Sequence, residues 1–232
     1  MKKVFFLLVL ALLASACSEP IKKNEDVSSS TEEISKATSS KVYYEIADTT
    51  DFTGSMTVEM NFVLNSYPSS WAFLITKMTS DFNNEFNIRI KNDEIANWFF
   101  GTGKTAVIMN WRPKTITLNK PTQLIAVRDF DKGILSVFIN GKAVATKNID
   151  KKIKPLRTYS TIKIFGSEKN SIDGSLSSLQ IWKRALSKDE IKNISTAKSD
   201  NKVGSWDFTK QINNEIVELS GKDLIIKQKN RK

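Results

Sequence analysis

From residue 41 onward, short apolar or alternating runs recur about every ten residues with turn-forming residues between them, and this rhythm limits the fold more than any other feature of the chain. In SMTVEMNFVL, Met56, Val58, Met60 and Phe62 fall on one side while Thr57, Glu59 and Asn61 fall on the other, the two-residue period of a half-buried strand. WAFLITK, FNIRIK, EIANWFF, TAVIMN, TQLIAVRDF, ILSVFING, STIKIFG and GSLSSLQIWK supply further strands. Asn140-Gly141 is placed for a tight hairpin, where the central residues need positive φ. Asp131-Lys132-Gly133 and Asp173-Gly174 mark two more turns. One segment, SKDEIKNIS at residues 187–195, reads as a helix: Ser187 can cap it, Glu190 completes a capping box, and Ile191 and Ile194 share a face. Without crossover helices, the expectation is an all-β fold, a two-sheet antiparallel jelly-roll sandwich with one short helix.

The stretch GTGKTA, residues 101–106, invites a nucleotide reading and fails it. A phosphate-binding loop needs a glycine four intervening residues before its Gly-Lys-Ser/Thr, and that position is Trp98. The following AVIMNWRPKTITL is rich in β-branched residues and contains Pro113, so no helix N-terminus is available to an anion. GTGKTA is expected to be a turn between strands. Histidine is absent from the chain, which removes the commonest general base and zinc ligand. The net charge of +10 comes mainly from scattered lysines rather than arginine clusters, so no nucleic-acid partner is expected. KQKNRK at residues 227–232 is a local basic cluster and reads as a frayed tail.

The N-terminus carries an address. MKKVFFLLVLALLASAC has a charged start, an apolar core too short to span a bilayer comfortably, and small residues before a cysteine, so residues 1–16 read as a secretory signal. Cys17 is the chain's one cysteine and follows Ala14-Ser15-Ala16, which resembles the lipobox of bacterial lipoproteins. That resemblance implies acylation of Cys17, with the lipid bilayer as a partner. Ser18 implies sorting to the outer membrane of a double-membraned bacterium, with the side of the membrane left open. Residues 17–40 are polar and read as a flexible tether, leaving residues 41–232 as one folded domain.

Four segments carry a second resemblance. FTGSMTVEMNF (52–62), TQLIAVRDFDKGILSVFINGKAVAT (122–146), IDGSLSSLQIWKRALSKDEI (172–191) and GSWDF (204–208), the last as a terminal strand along a sheet edge, are together similar to the laminin-G-like or concanavalin A-like lectin/glucanase family. The family hosts lectins, adhesion modules and glycoside hydrolases. Its hydrolases place carboxylates in a compact Glu-x-Asp-x-x-Glu pattern that does not occur here; the nearest cluster, Asp81 and Glu85, is not so spaced.

The expected function is therefore non-enzymatic: an envelope lipoprotein whose domain binds a glycan or a protein. The alternatives are an accessory subunit of a surface complex and, third, a glycoside hydrolase. Trp98, Trp111 and Arg112 flank the GTGKTA hairpin and are the ligand-binding candidates, since sugar sites combine aromatic faces with polar groups. Trp71 and Trp182 are expected in the core. The resemblance also implies a calcium ion, for which Asp81, Asn83, Asn84, Asp129 and Asp131 are the candidate ligands.

Overall fold

The structure is a computed structural model that describes residues 42–47, 50–212, 215–221 and 224–230. The signal, Cys17 and the tether of residues 17–40 lie outside the described residues. Fourteen strands form: Val42–Ile46 (β1), Met56–Leu64 (β2), Ala72–Met78 (β3), Asn84–Lys91 (β4), Ile95–Gly101 (β5), Ala106–Trp111 (β6), Pro121–Asp129 (β7), Ile134–Ile139 (β8), Lys142–Asn148 (β9), Ile162–Ile164 (β10), Gly174–Trp182 (β11), Lys202–Ile212 (β12), Glu215–Glu218 (β13) and Ile226–Asn230 (β14). Among the described residues one α-helix, Lys188–Lys192 (α1), accompanies them, with two single-turn 3-10 segments at Pro113–Thr115 and Ile194–Thr196.

The inward set of β2 follows the alternation, but the strand is not half-buried over its first part, because Thr57 and Glu59 on the other side are covered too. Met56, Val58, Met60, Phe62 and Leu64 enter one continuous core with residues from the other strands, among them Leu124 and Ala126 of β7 and Leu179 and Ile181 of β11. β7 is apolar on both faces because its outward residues Ile125 and Val127 are covered as well. They join Trp182, Leu186 and Ile191 in a second, smaller cluster under α1. Ser187 caps that helix: its side chain accepts from the Glu190 N–H while the Glu190 carboxylate accepts from the Ser187 N–H.

All the ladders are antiparallel, but the two separate sheets expected from the sequence are replaced by one. Hydrogen bonding runs without a break in the order β6-β5-β4-β3-β10-β1-β14-β13-β12-β11-β2-β7-β8-β9. The end strands β6 and β9 come back against each other, where Lys147 Nζ donates to the Ile108 carbonyl at 2.7 Å, so the sheet nearly closes around its core. The physical reason is the segment read as a frayed tail. Residues 226–230 form β14, which pairs with β1 from Val42↔Asn230 to Ile46↔Ile226 and with β13 on its other side. This carries the ladder from one half of the molecule to the other. For the same reason β12, which contains GSWDF, lies between β11 and β13 rather than at an edge.

GTGKTA is the turn from β5 to β6, with Gly103 at φ +90°. Gly101 has a different constraint: a Cβ there would sit 2.1 Å from the Phe82 carbonyl oxygen, so the neighbouring turn approaches as closely as it does because residue 101 has no side chain.

Candidate functional site

Register across β3–β6 builds the site. Phe73↔Arg89, Arg89↔Asn97 and Asn97↔Asn110 are successive pairs, so these four residues form one row across the outer face of the sheet. The next outward row is Thr76, Asn87, Phe99 and Ile108. The intervening residues, including Ile88, Trp98, Met109 and Trp111, point into the core.

Arg89 is the centre of the outer face. Its guanidinium lies 4.4 Å from the Trp71 ring centroid and 4.6 Å from that of Phe99. Nε donates to Asn97 Oδ1 at 3.1 Å and Nη1 to Asp81 Oδ1 at 3.0 Å. Asn97 Nδ2 then donates to Asn110 Oδ1 at 2.6 Å, so a polar chain runs from Asp81 to the edge strand. There Asn110 opens onto a cleft of about 620 Å³, lined also by Glu94, Ile95, Trp111, Arg112 and Lys114. Asn87, in the adjoining row, gives its amide N–H groups to Thr76 Oγ1 and Met78 Sδ, while its Oδ1 is buried without a partner. Phe99, Asn87 and Asn97 are themselves buried and brace this surface from beneath, which leaves Trp71, the edge of Arg89 and Asn110 to meet a ligand, an aromatic face and polar groups of the kind hydroxyl-rich ligands need.

The three ligand candidates from sequence divide. Arg112 is exposed and lines the cleft. Trp111 contributes to its wall, but the residue is 4% exposed and its ring packs in the core. Trp98 is 1% exposed and does not reach the cleft. Neither tryptophan presents a ring face, because residues 98 and 111 alternate with the outward Asn97 and Asn110. Both indole N–H groups are buried without an acceptor. Burying an aromatic side chain removes roughly 150–250 Å² from water, worth about 4–6 kcal/mol at ~25 cal/mol per Å². That exceeds the cost of about 1–3 kcal/mol for an unpaired donor. Trp71, expected inside, instead stacks with Arg89 on the outer face. Trp182 is fully buried, in the cluster beneath α1.

The calcium candidates do not converge. Asp81, Asn83 and Asn84 share the turn before β4, where Asp81 is paired with Arg89 and Asn84 Nδ2 donates to the Asp81 carbonyl at 2.6 Å. Asp129 and Asp131 belong to the β7–β8 turn. Asp129 pairs with Lys132 at 2.9 Å, and although partial burial pushes its carboxyl up, the Lys132 hydrogen bonds hold it below the usual value. Asp131 is exposed, and its carbonyl accepts from Lys151 Nζ. Among the described residues no group of three or more His, Cys, Asp and Glu side chains comes together. Calcium takes six to eight oxygens; with Asp81 and Asp129 each paired to a cation and Asp131 and the unpartnered Asn84 Oδ1 in different turns, neither turn gathers the oxygens the ion needs.

Two carboxylates prove to be buried, which nothing in the sequence marks: Glu59, on the outward side of β2, and Glu85, at the register break of β4 against the buried Lys77. Glu59 on β2 accepts from Asn61 at 2.6 Å, Gln123 at 3.2 Å and Gln180 at 3.3 Å. Burial pushes its carboxyl up, partly opposed by those amides. Glu85, the neighbour of Asp81 in the nearest carboxylate cluster, is fully buried and accepts from the N–H groups of Phe52 and Thr158 at 2.6 and 2.8 Å. It is engaged in holding the fold.

Residues 38–192 match the sequence family described as the Concanavalin A-like lectin/glucanases superfamily, Laminin_G_3. No curated protein matches the chain. Among solved structures it is similar to a candidate carbohydrate binding protein from Bacteroides ovatus ATCC 8483, with TM-score 0.61 and 13% identity over 83% of this chain and 58% of that one. It is also similar to CBM40 of the Ruminococcus gnavus IT-sialidase bound to alpha2,3 sialyllactose, with TM-score 0.52 and 14% identity over 62% of this chain and 84% of that one. The chain thus spans 58% of the length of the first, and at these identities the likeness is one of fold.

Proposed function

The chain belongs to the concanavalin A-like lectin/glucanase superfamily, and from that premise we propose that it is a non-catalytic binding module that holds a glycan on the outer face of β4–β6 and in the adjoining cleft. The observation that carries the reading is the row Arg89–Asn97–Asn110, hydrogen-bonded in sequence, flanked by Trp71 and ending at the cleft. Asn110 supplies amide groups for sugar hydroxyls, and Trp71 supplies an aromatic surface for sugar C–H groups. Arg112 and Lys114 against Glu94 leave the cleft lining cationic, which favours a glycan bearing a carboxylate. The ligands named for the two similar structures, a carbohydrate and a sialyllactose, support this class of partner. Against catalysis, Glu94 is the one carboxylate among the lining residues, whereas glycoside hydrolysis by the common routes uses a pair.

The test is calorimetric titration with acidic and neutral oligosaccharides, in calcium and in chelator, for the parent and Arg112→Ala. A charge-assisted hydrogen bond contributes about 1.5–3 kcal/mol, so Arg112→Ala should weaken an acidic glycan roughly ten- to hundredfold with an unchanged melting temperature. Equal affinity in parent and variant would remove the cleft from the proposal, and loss of binding in chelator would put an ion back beside Asp81, Asn83 and Asn84.

The proposal extends to the cell envelope: Cys17 is acylated and the domain is held at the outer membrane. The small residues before Cys17 support that reading. Mass spectrometry of the mature chain should find acyl groups that are missing from Cys17→Ser; an unmodified Cys17 would sink it.

A further inference from the structure

The GTGKTA turn lies at one end of the strands, the end where β3, β5, β7 and β9 finish and β4, β6 and β8 begin. The Gly103 N–H donates to the Phe82 carbonyl and the Leu156 N–H to the Gly101 carbonyl, each at 2.8 Å. A Cβ on Gly103 would be 3.6 Å from Leu156 Cδ2. Three separate pieces of chain therefore meet here: the turn at 79–84, the GTGKTA turn and the coil at 149–161.

What they present to water is apolar. Phe82 keeps 52% of its surface exposed, Ile153 40%, Leu156 42% and Tyr159 78%. The coil that carries the last three is fixed rather than loose. Ile149 N–H donates to the Gly133 carbonyl at 2.8 Å, and Thr158 N–H donates to the buried Glu85 at 2.8 Å.

Cations surround these side chains. Lys104 is in the GTGKTA turn, and Lys151, Lys152, Lys154 and Arg157 are in the coil. Lys154 Nζ stands 3.6 Å over the Phe130 ring centroid and Arg157 5.1 Å from that of Tyr159. The acids at this end are largely answered: Asp81 by Arg89, Asp129 by Lys132, and Asp51 by the Thr53 N–H at 2.8 Å, with Arg157 and Lys183 contributing positive charge nearby. Asp131 and Asp150 remain exposed, and Asp150 Oδ1 accepts from the Lys152 N–H.

We infer that this end of the sheet docks onto an anionic lipid surface, with Phe82, Ile153 and Leu156 entering the headgroup region and the lysines pairing with lipid phosphates. Apolar tips interleaved with lysines and amphipathic aromatics are the combination that holds a protein at a charged interface. Apolar tips set this surface apart from a binding site for soluble polyanions, which would be served by the cations alone. Docking in this way has a geometric consequence. The cleft lies where β5 begins and β6 ends, the opposite end of the same strands, and so faces away from the bilayer.

The experiment is hydrogen–deuterium exchange on the full chain with vesicles of phosphatidylcholine, alone or mixed with phosphatidylglycerol. Residues 79–84, 102–105 and 150–159 should exchange several-fold more slowly on the anionic vesicles only, while residues 92–95 and 112–120 stay unchanged. The double variant Lys152→Glu, Leu156→Ser should lose the protection and keep the parent melting temperature. Equal exchange on both vesicle types, or protection at the cleft end, would overturn the inference. Equal protection by soluble polyphosphate would overturn it in favour of a polyanion.

Discussion

Arg128 stands on the inward face of β7, in step with Leu124 and Ala126, where water does not reach it. Its guanidinium survives there because every side of it is used: Nε donates to the Gly54 carbonyl at 2.9 Å, Nη1 to the Glu85 carbonyl at 2.7 Å and Nη2 to the Phe52 carbonyl. The rings of Phe100 and Phe130 flank it at 5.2 and 5.3 Å. Burial pulls its pKa down to about 9, opposed by Glu85 and Asp51, so the group is still charged at neutral pH. Lys77, also fully buried, reaches the Glu85 carboxylate at 3.4 Å and the Thr50 carbonyl. Together these side chains pin residues 50–54 and Thr158 to the sheet. Arg128→Met keeps the bulk and removes the donors, leaving three carbonyls unanswered and Glu85 short of a cation. The expected loss is at least about 3 kcal/mol, on the order of 1–3 kcal/mol for each buried carbonyl left without a donor, read from denaturant unfolding. A loss below about 1 kcal/mol would mean that water reaches the cluster and that the groups pay no such penalty. None of this was legible in TQLIAVRDF, where Arg128 looks like the polar member of an alternating strand. The tryptophans show the same limit. That Asn97 and Trp98 alternate was readable, but which of them faced inward depended on the partner strands, and the larger burial gain of the indole decided it.

At the scale of the element, α1 was readable because its signals are local. Ser187 and Glu190 close their capping box within one turn, and Ile191 sits over Val127 and Trp182 in the outer cluster. Glu190 does more than cap. Its carboxylate takes both Arg184 Nη groups, at 2.7 and 2.9 Å, and the Lys198 N–H at 3.3 Å, tying the helix to the segments on either side. The Arg184 hydrogen bond, first among these contacts, holds the Glu190 pKa down to about 2 from the ordinary 4.5. A carboxylate depressed in this way adds stability that is complete above about 4.5 and is lost as pH falls through about 2. The melting temperature of the parent should therefore decline across that window more steeply than that of Glu190→Gln, and parallel curves would show that the pairing contributes nothing. Ser187→Ala should cost about 1 kcal/mol at neutral pH, as other lost N-caps do. β14 is the opposite case. In IKQKN only Ile226 is buried, and the remaining side chains are exposed, so no hydrophobic period announces a strand. Its contribution is backbone hydrogen bonding to β1 and β13, which composition does not reveal.

For the whole molecule, that unremarkable strand decides between two architectures. With β14 in place the ladder passes from β1 through β14 and β13 to β12, and the fourteen strands form one nearly closed sheet. Without it, β1 and β13 each present a row of unpaired N–H and C=O groups, and the molecule reverts to two edges facing water. Exposed edges recruit other chains. Removing residues 224–232 should therefore lower the melting temperature and produce concentration-dependent self-association, seen by size-exclusion chromatography over a dilution series. Ile226→Ala separates the causes, because it removes the one buried side chain of β14 and leaves the backbone ladder. That substitution alone should cost about 2–5 kcal/mol and leave the elution position of the parent unchanged at every dilution. A truncated chain that keeps the parent's elution behaviour and is no less stable than Ile226→Ala would show that the ladder is dispensable. The two halves would then hold together through side-chain packing across the core, which is the sandwich that the rhythm of the sequence suggests.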